Sequence, residues 1–358
     1  MPGAILPDPR APLALQRTPE IQVLHIHRTI PESVPVGHFE PGGVQVVDDV
    51  VSRTKYLEQI QQACVELGDG LEVRFYDHFE EGFDASVLDS LPGIRCLSID
   101  GLELVRHPEA VARLPQLSSL RFGPRRIADA GILAAIGVHR LRDFTLASTP
   151  TPTIDLAPLA EARALRSLRL LGQGKNTEAV GRLAELNELA LQPSSKFDIG
   201  FITRLVSLEK LKFVLGNVKS IRAIETLPLL QDLSFREVRN LEDLGSLERF
   251  PRLRRLVVSD QPRIAELHVG RANAALEHLY LYSVPALHTL TGLSQLPALK
   301  SLFTYDSRLD VPWSDLPATV THVQLMTKAI KGRDAHAAQV RARGLIPDAH
   351  PDSQFFYK

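Results

Sequence analysis

A six-residue pattern of leucines recurs along this chain at an almost constant spacing, and it constrains the fold more than any other feature. Each copy has apolar residues at its first and fourth positions, and all but the copy from Leu299, which has Thr304, also at the sixth, as in "LEHLYL" and "LQDLSF". Eleven copies follow one another at intervals of 21 to 24 residues, and they begin at Ile94, Leu117, Leu141, Leu165, Leu186, Leu208, Leu230, Leu253, Leu276, Leu299 and Val320. A shorter motif, "LEVRF" from Leu71, precedes them as an atypical first copy. Internal repeats of this length predict a solenoid, in which neighbouring copies stack and bury a shared core.

Two kinds of local pattern lie within each copy. At the end of the motif, apolar residues alternate with polar ones, which is typical of a β-strand with one buried face. Between the strands lies a second apolar set at three-residue spacing, such as Leu290, Leu293 and Leu296, which suits a short helical or 3-10 return segment. We therefore predict an α/β solenoid whose strands pair in parallel.

Over about residues 71–327, the chain resembles the leucine-rich repeat family, whose signature is L-x-x-L-x-L followed by a turn. It looks like the bacterial members with irregular repeats, of the internalin-like or immunity type. The resemblance implies a horseshoe or arc with a parallel concave β-sheet and short helical, 3-10 or irregular convex returns. The family commonly has Asn or Cys three residues after the last strand leucine. Here those positions hold Leu102, Arg125, Thr149, Gln173, Ser194, Gly216, Val238, Gln261, Val284 and Ser307, so we expect the side-chain amide ladder to be missing.

The segments on either side of the repeats predict caps, because both ends of a stacked array expose its core. We predict a flexible Pro-rich tail over residues 1–20, a small N-terminal α/β cap over 21–70, the array of about 12 units over 71–327, and a C-terminal cap and tail over 328–358. In the first cap, "IQVLHIH" and "VQVV" predict strands. The next segment predicts an amphipathic helix with Ser52 as N-cap and Gly68 past its end. A second short helix is predicted to end at Gly344.

Composition excludes several classes of protein. The chain is 44% hydrophobic, enough for a sizeable core, and its 41 basic and 42 acidic side chains argue against a globally cationic nucleic-acid binder. Two cysteines suggest no disulfide framework, and no run approaches the roughly 18 apolar residues of a membrane span. The first twenty residues make a poor signal peptide. We expect a reduced cytoplasmic protein without membrane contact.

The last third of the array is predicted to carry a partner-binding patch on its concave strand face. The residues that alternate with the core leucines there are His278, Tyr280, Tyr282, Phe303, Tyr305, Asp306, His322 and Met326. Adjacent strands lie about 4.8 Å apart, so these side chains should be contiguous and exposed. Aromatic residues are enriched at protein interfaces. Two structural alternatives stay open: cross-strand aromatic pairing that stabilises the sheet, and packing under the C-terminal tail.

The middle of the same face is more basic and offers Lys212, Arg236 and Arg255 as further partner-binding residues. It also contains Arg121, Arg142, Arg166, Arg169, Lys210 and Arg254. One interpretation is electrostatic steering of an acidic protein surface. The other is a solvated sheet with weak cross-strand ion pairs, because acidic residues interleave with the basic ones.

Other motifs carry no convincing chemistry, and we predict no catalytic residues, no metal site and no cofactor. "GQGKNT" departs from the phosphate-binding loop because Asn176 separates the lysine from the hydroxyl, so its glycines are interpreted as a turn. His25 and His27 alternate on one strand face but lack further ligands, which leaves a polar sheet face as the simpler interpretation. Cys96 is expected at an exposed concave position as an ordinary thiol.

These observations favour a non-catalytic scaffold that binds a protein partner on its concave sheet. The first specific role is an immunity protein that masks a cognate toxin. The alternatives are a secreted effector or host-interaction protein, and, less favoured, an enzyme that uses the repeats to hold its substrate.

Overall fold

The computed structural model describes residues 6–7, 15–17, 22–27, 32–39, 45–76, 82–147, 153–172, 174–194, 197–307, 309, 311–327 and 333–347. The chain divides into two compact units, Met1–Leu183 and Ala184–Lys358, which we call unit 1 and unit 2. In both units, strands alternate with short return segments, as the repeat predicts.

The described strands of unit 1 are β1 (Leu6–Pro7), β2 (Leu15–Arg17), β3 (Gln22–His27), β4 (Ser33–Phe39), β5 (Gln45–Ser52), β6 (Leu71–Tyr76), β7 (Phe83–Asp84), β8 (Cys96–Asp100), β9 (Val105–Arg106), β10 (Ser119–Gly123), β11 (Asp143–Leu146), β12 (Ile154–Asp155), β13 (Ser167–Leu170) and β14 (Gly174–Lys175). The main sheet has the order β2-β3-β6-β8-β10-β11-β13, with β2 antiparallel to β3 and the other neighbours parallel. Smaller sheets are formed by β1-β4-β5, β7-β9 and β12-β14.

Short helices connect these strands. The α-helices of unit 1 are α1 (Arg53–Leu67), α2 (Glu109–Arg113) and α3 (Ile132–Ala135). Its 3-10 helices are Gly68–Gly70, Ala85–Ser90, Val138–Arg140, Ala157–Glu161 and Thr177–Arg182.

Unit 2 repeats the same plan. Its strands are β15 (Glu188–Leu191), β16 (Lys210–Val214), β17 (Asp232–Arg236), β18 (Arg255–Ser259), β19 (Glu266–His268), β20 (His278–Tyr282), β21 (Thr289–Thr291), β22 (Ser301–Ser307) and β23 (His322–Thr327). The main sheet is β15-β16-β17-β18-β20-β22-β23, parallel throughout, and β19 pairs with β21. The 3-10 helices are Gly200–Arg204, Leu247–Arg249, Arg271–Asn273, Leu293–Gln295 and Trp313–Asp315, and α4 is Arg333–Arg341.

The core of unit 2 is built from leucines that stand in register on neighbouring strands. Leu211, Leu233, Leu256, Leu279 and Leu302 form one such row, and each is at most 1% exposed. Burying one leucine side chain contributes roughly 1.5–3 kcal/mol. The strand predicted in each of the twelve copies is therefore confirmed. The opposite face of each main sheet, which we call the open face, carries the residues that alternate with this core.

Left-handed residues follow four neighbouring strands of the main sheet of unit 2, β16, β17, β18 and β20. They are Leu215, Glu237, Asp260 and Ser283, with φ between 51° and 60°. Each donates its backbone N–H to a main-chain oxygen of the next strand at 2.7–3.1 Å. These bonds satisfy the backbone N–H groups of the turns, so no continuous ladder of side-chain amides is needed. The exception is Gln261, which is buried and donates its side-chain amide to the Ser259 carbonyl oxygen at 2.8 Å.

Both helices predicted beside the repeats are present, although α4 ends at Arg341, three residues before the predicted end at Gly344. The Ser52 hydroxyl accepts a hydrogen bond from the Lys55 backbone N–H, and Gly68 takes a positive φ just past the end of α1. The buried residues of α1 are Tyr56, Ile60 and Cys64. At the other end, residues after α4 return to the sheet, where the Ile346 carbonyl oxygen accepts a hydrogen bond from the β23 backbone. The predicted domain boundaries stay predictions.

The hydroxyl of Tyr56 gives a stability prediction. Tyr56 is fully buried, and within the described part of the chain its hydroxyl has no hydrogen-bond partner. Burial also raises the pKa of the phenol. Because an unsatisfied buried hydroxyl costs about 1–3 kcal/mol, we expect Tyr56→Phe to raise the free energy of unfolding by about 1 kcal/mol. Urea titration of both proteins measures this change, and a less stable variant would contradict it.

Candidate functional site

The open face of unit 2 brings the predicted aromatic residues of β20 and β22 together. Tyr280 stands in register with Phe303, and Tyr282 with Tyr305, while His278 begins the same strand face. These five side chains form what we call the aromatic cluster. The alternation of leucine with aromatic residues along each strand places them there, because consecutive side chains point to opposite faces.

The rings of the aromatic cluster pack against one another. Tyr282 and Tyr305 are stacked, with centroids 5.0 Å apart and planes at 10°. Tyr282 also stacks on Phe303 at 6.3 Å. Each aromatic pair of this kind contributes about 0.5–1.5 kcal/mol beyond area burial. The contacts therefore stabilise the sheet, as one of the structural alternatives predicts, and they also hold the rings in fixed positions.

Exposure differs within the aromatic cluster. His278, Tyr282, Phe303 and Tyr305 are half-buried, whereas Tyr280 is only 1% exposed. The prediction that Tyr280 is exposed is therefore wrong. Its ring lies at the centre of the cluster, 6.1 Å from the His278 ring and 6.3 Å from the Phe303 ring, so its neighbours cover it. Tyr280 therefore contributes to the packing of the His278 and Phe303 rings.

The next strand extends this surface. His322 on β23 stands in register with Ser301 and is half-buried, and its Nδ1 lies 2.9 Å from the Thr321 hydroxyl. The backbones of Asp306 and Met326 belong to β22 and β23, but their side chains lie outside the described residues. Their predicted roles stay predictions.

The basic residues of the open face of unit 2 take part in ion pairs. Arg255 Nε lies 3.4 Å from an oxygen of Asp232 on the adjacent strand, and Arg236 Nε lies 3.4 Å from Glu237. Lys212 stands in register with Ser234. Along the edge of this face, Glu277 accepts hydrogen bonds from Lys300 at 2.6 Å and from Arg254 at 2.7 Å, and these bonds lower its pKa. Such contacts favour the ion-pair interpretation, and each exposed pair contributes about 0–1 kcal/mol.

A second charged group lies on the open face of unit 1. Asp100 is only 7% exposed, and two arginines from the adjacent strands hold it. Arg74 donates from Nε at 2.8 Å and from Nη2 at 3.0 Å, and Arg121 Nε lies 3.1 Å from the second carboxylate oxygen. The Arg74 guanidinium also lies over the Tyr76 ring at 5.2 Å. Sequence reasoning named Arg121 but missed Asp100, although a regular strand register would have placed them on neighbouring strands.

Cys96 differs from its expected position. It is 9% exposed, so the prediction of an exposed thiol is wrong, and its Sγ lies 3.7 Å from the Asp69 carbonyl oxygen. Burial raises the pKa of the Cys96 thiol to about 11, and burial likewise raises that of Cys64 to about 12. Both thiols are therefore protonated near neutral pH, where a thiol is a poor nucleophile.

The remaining candidates acquire no binding geometry in the described part of the chain. No group of three or more His, Cys, Asp or Glu side chains is placed to hold a metal ion among the described residues. The strand with His25 and His27 is confirmed, but their side chains lie outside the described residues. In the "GQGKNT" segment, a Cβ on Gly174 would lie 2.5 Å from the Leu156 side chain, so close packing explains why a glycine stands there.

Among the described residues, we find no helix with the length and apolar character needed to span a bilayer.

Comparison with known structures identifies the fold. An internalin of Listeria monocytogenes shares 19% sequence identity with this chain; the match covers 80% of this chain and 87% of that one, with a TM-score of 0.51. The chain has the leucine-rich repeat fold. The leucine-rich repeats predicted from the L-x-x-L-x-L motif are thus confirmed by both the strands and this likeness.

Other leucine-rich repeat structures match more weakly. A Leptospira interrogans leucine-rich repeat protein has 15% identity, 72% coverage of each chain and a TM-score of 0.41. The ectodomain of a plant membrane receptor kinase from Arabidopsis thaliana, solved with Casparian strip integrity factor 2, has 14% identity, covers 81% of this chain and 40% of that one, and has a TM-score of 0.41. Comparison of the sequence with models of protein families finds no match, and neither does comparison with curated proteins.

Proposed function

We propose that this leucine-rich repeat chain is a non-catalytic scaffold that binds a protein partner on the open face of unit 2. The observation that supports this is the aromatic cluster, in which Tyr282, Phe303 and Tyr305 are half-buried and contiguous on adjacent strands. Tyrosine and phenylalanine are enriched at interface centres, and tyrosine is a frequent hot spot. The cluster offers a partner apolar area together with two phenol hydroxyls.

The arrangement is also suited to binding because little side-chain freedom remains to be lost. Tyr282 is stacked on one face by Tyr305 on the neighbouring strand, and the strand backbone is held by parallel pairing on both sides. Immobilising a mobile side chain on association costs about 0.5–1.5 kcal/mol. Rings already fixed by their neighbours avoid much of that cost, so their burial contributes more fully to affinity.

Mutation of the accessible tyrosines tests this proposal. A partner isolated by affinity capture from the native cell is titrated against the wild-type chain and against the double variant Tyr282→Ala/Tyr305→Ala. We expect the dissociation constant to rise at least tenfold, because truncating hot-spot residues costs about 2 kcal/mol or more. Val206→Ala, at an exposed apolar residue outside the main sheet, is the matched control and should leave the affinity unchanged. Equal affinity of the double variant and the wild type would place the interface elsewhere.

The more specific role that we propose is masking of a cognate toxin in the cytoplasm. Cys64 and Cys96 form no disulfide with each other, which suits the reducing compartment that this role requires. The identity of the captured partner tests this role. A toxin whose activity falls in proportion to added chain supports it, whereas capture of a host surface protein favours the effector interpretation instead.

A further inference from the structure

On the open face of unit 1, an arginine stands on every second strand from β6 to β13. In register across β6, β8, β10, β11 and β13 stand Arg74, Ser98, Arg121, Thr145 and Arg169. Because adjacent strands lie about 4.8 Å apart, consecutive arginines are separated by about 10 Å, with one short hydroxyl residue between them. The row therefore contains two similar slots, the first between Arg74 and Arg121 and the second between Arg121 and Arg169.

The first slot is filled by the chain itself. Asp100 follows Ser98 by two residues on the middle strand, and its carboxylate accepts hydrogen bonds from Arg74 at 2.8 and 3.0 Å while Arg121 approaches at 3.1 Å. The carboxylate is almost completely buried by this arrangement. Two arginines placed two strands apart on this sheet thus have the spacing to bracket one carboxylate.

The second slot repeats the geometry but lacks the acid. The residue two positions after Thr145 is Ala147, whose backbone N–H donates to the Phe122 carbonyl oxygen at 2.9 Å and so continues the strand register. Gly123 lies beside it, where a Cβ would come within 2.8 Å of the Ala147 carbonyl oxygen. Small residues therefore occupy the place that corresponds to Asp100. The acid of this strand, Asp143, shares the open face but comes two residues before Thr145, at the other end of the slot.

The second slot still has N–H donors to offer. Arg121 contacts Asp100 with its Nε at 3.1 Å, but its side chain is 45% exposed and its guanidinium carries further N–H groups. Arg169 is exposed as well, and within the described part of the chain its side chain forms no ion pair or hydrogen bond. A guanidinium is a planar fork of N–H donors that matches a carboxylate, as the contacts of Arg74 illustrate.

We propose that the slot between Arg121 and Arg169 binds an Asp or Glu side chain of a protein partner, in the place that Asp100 takes in the first slot. This inference extends the proposed function, because it specifies an acidic partner segment and assigns it to unit 1. It does not depend on the aromatic cluster of unit 2.

The test uses a hexaglutamate peptide as probe, with hexaglutamine as its neutral counterpart of similar shape. Arginine Nε–Hε NMR signals of the full chain are followed at low ionic strength, where screening is weak. We expect saturable shifts of the Arg121 and Arg169 signals with hexaglutamate alone. Arg169→Ala should weaken binding about tenfold or more, because a hydrogen bond to a charged group is lost.

A second variant fills the slot from within. Ala147→Asp places a carboxylate where Asp100 stands in the first slot, so it should also weaken hexaglutamate binding about tenfold while leaving the fold intact by circular dichroism. Arg163→Ala, at an exposed arginine of unit 1 outside the strands, is the matched control and should bind as the wild type does.

Three results would overturn the inference: equal shifts with hexaglutamine, equal affinity of Arg169→Ala and Arg163→Ala for hexaglutamate, or shifts with inorganic phosphate but none with hexaglutamate. The last would identify a phosphate site instead. These outcomes are separable from failure of the proposed function, because partner binding through Tyr282 and Tyr305 is measured with other variants and another ligand.

Discussion

Replacing Phe235 with alanine is expected to lower the free energy of unfolding by about 3–5 kcal/mol, since large-to-small changes of buried aromatic residues leave a cavity. Phe235 on β17 is fully buried and stands in register with Phe213 on β16. The two rings are stacked with centroids 5.2 Å apart and planes at 3°. The variant loses this ring pair as well as the buried apolar area, and the close-packed leucines around it can fill the gap only in part.

Ser234→Ala is the matched control for Phe235→Ala, because Ser234 is the neighbouring residue of the same strand and lies on the open face. Its replacement should change stability by no more than about 0.5 kcal/mol. Urea denaturation followed by circular dichroism measures both variants. Hydrogen exchange is a useful second measurement, because in a repeat fold each copy contacts mainly its neighbours and the loss can be local. A loss below about 1 kcal/mol for Phe235→Ala would mean that the cavity collapses or that Phe213 and Phe235 are not packed as described.

The strands could be predicted because their positions depend on a local pattern that is repeated. Leu230 and Leu233 begin one copy with the same spacing as Leu276 and Leu279 in another. A strand with one buried face is the simplest structure that buries the same leucine positions in every copy. The parallel pairing follows, because consecutive strands are separated by return segments and not by tight hairpins.

The turns after the strands could not be predicted from the sequence. Leu215 and Glu237 adopt positive φ values, which cost about 1–2 kcal/mol for a residue with a side chain. Neither residue type favours that conformation. It is imposed by the neighbouring copy, whose main-chain oxygens accept hydrogen bonds from the N–H groups of these residues.

The strand β4 could not be predicted either, because its "SVPVGHF" sequence contains a proline and a glycine, which are both unfavourable within a strand.

The sequence predicts which sheet face the residues of the aromatic cluster occupy, but not which side chains they contact. Alternation with leucine correctly places Tyr282 and Tyr305 on one face, since that follows from strand geometry alone. The burial of Tyr280 depends on where the His278 and Phe303 rings turn, and that is decided by packing across strands. Ion pairs between residues in different copies, about 23 positions apart, likewise depend on the exact register.

Gly292→Ala is expected to destabilise the chain by about 2–5 kcal/mol. Gly292 begins the 3-10 helix Leu293–Gln295 with φ at 85°, a conformation that costs about 1–2 kcal/mol for a residue with a Cβ. An added Cβ would lie 1.7 Å from the Val269 carbonyl oxygen and 2.7 Å from its carbon. Because these are main-chain atoms, β19 and β21 must shift apart, and overpacking of this kind costs about 1–3 kcal/mol more.

Gly270→Ala is the matched control for Gly292→Ala, because it lies in the preceding copy, just after β19. Its φ of −177° is available to any residue, and an added Cβ would meet only the end of the Gln295 side chain, at 3.4 Å. This change should be neutral or raise the free energy of unfolding by about 0.4–1 kcal/mol, because alanine reduces the freedom of the unfolded chain. Thermal and urea denaturation of both variants measure the contrast. Equal stability of the two would show that the return segments are not packed backbone against backbone, and that the spacing between copies is set by the main sheet alone.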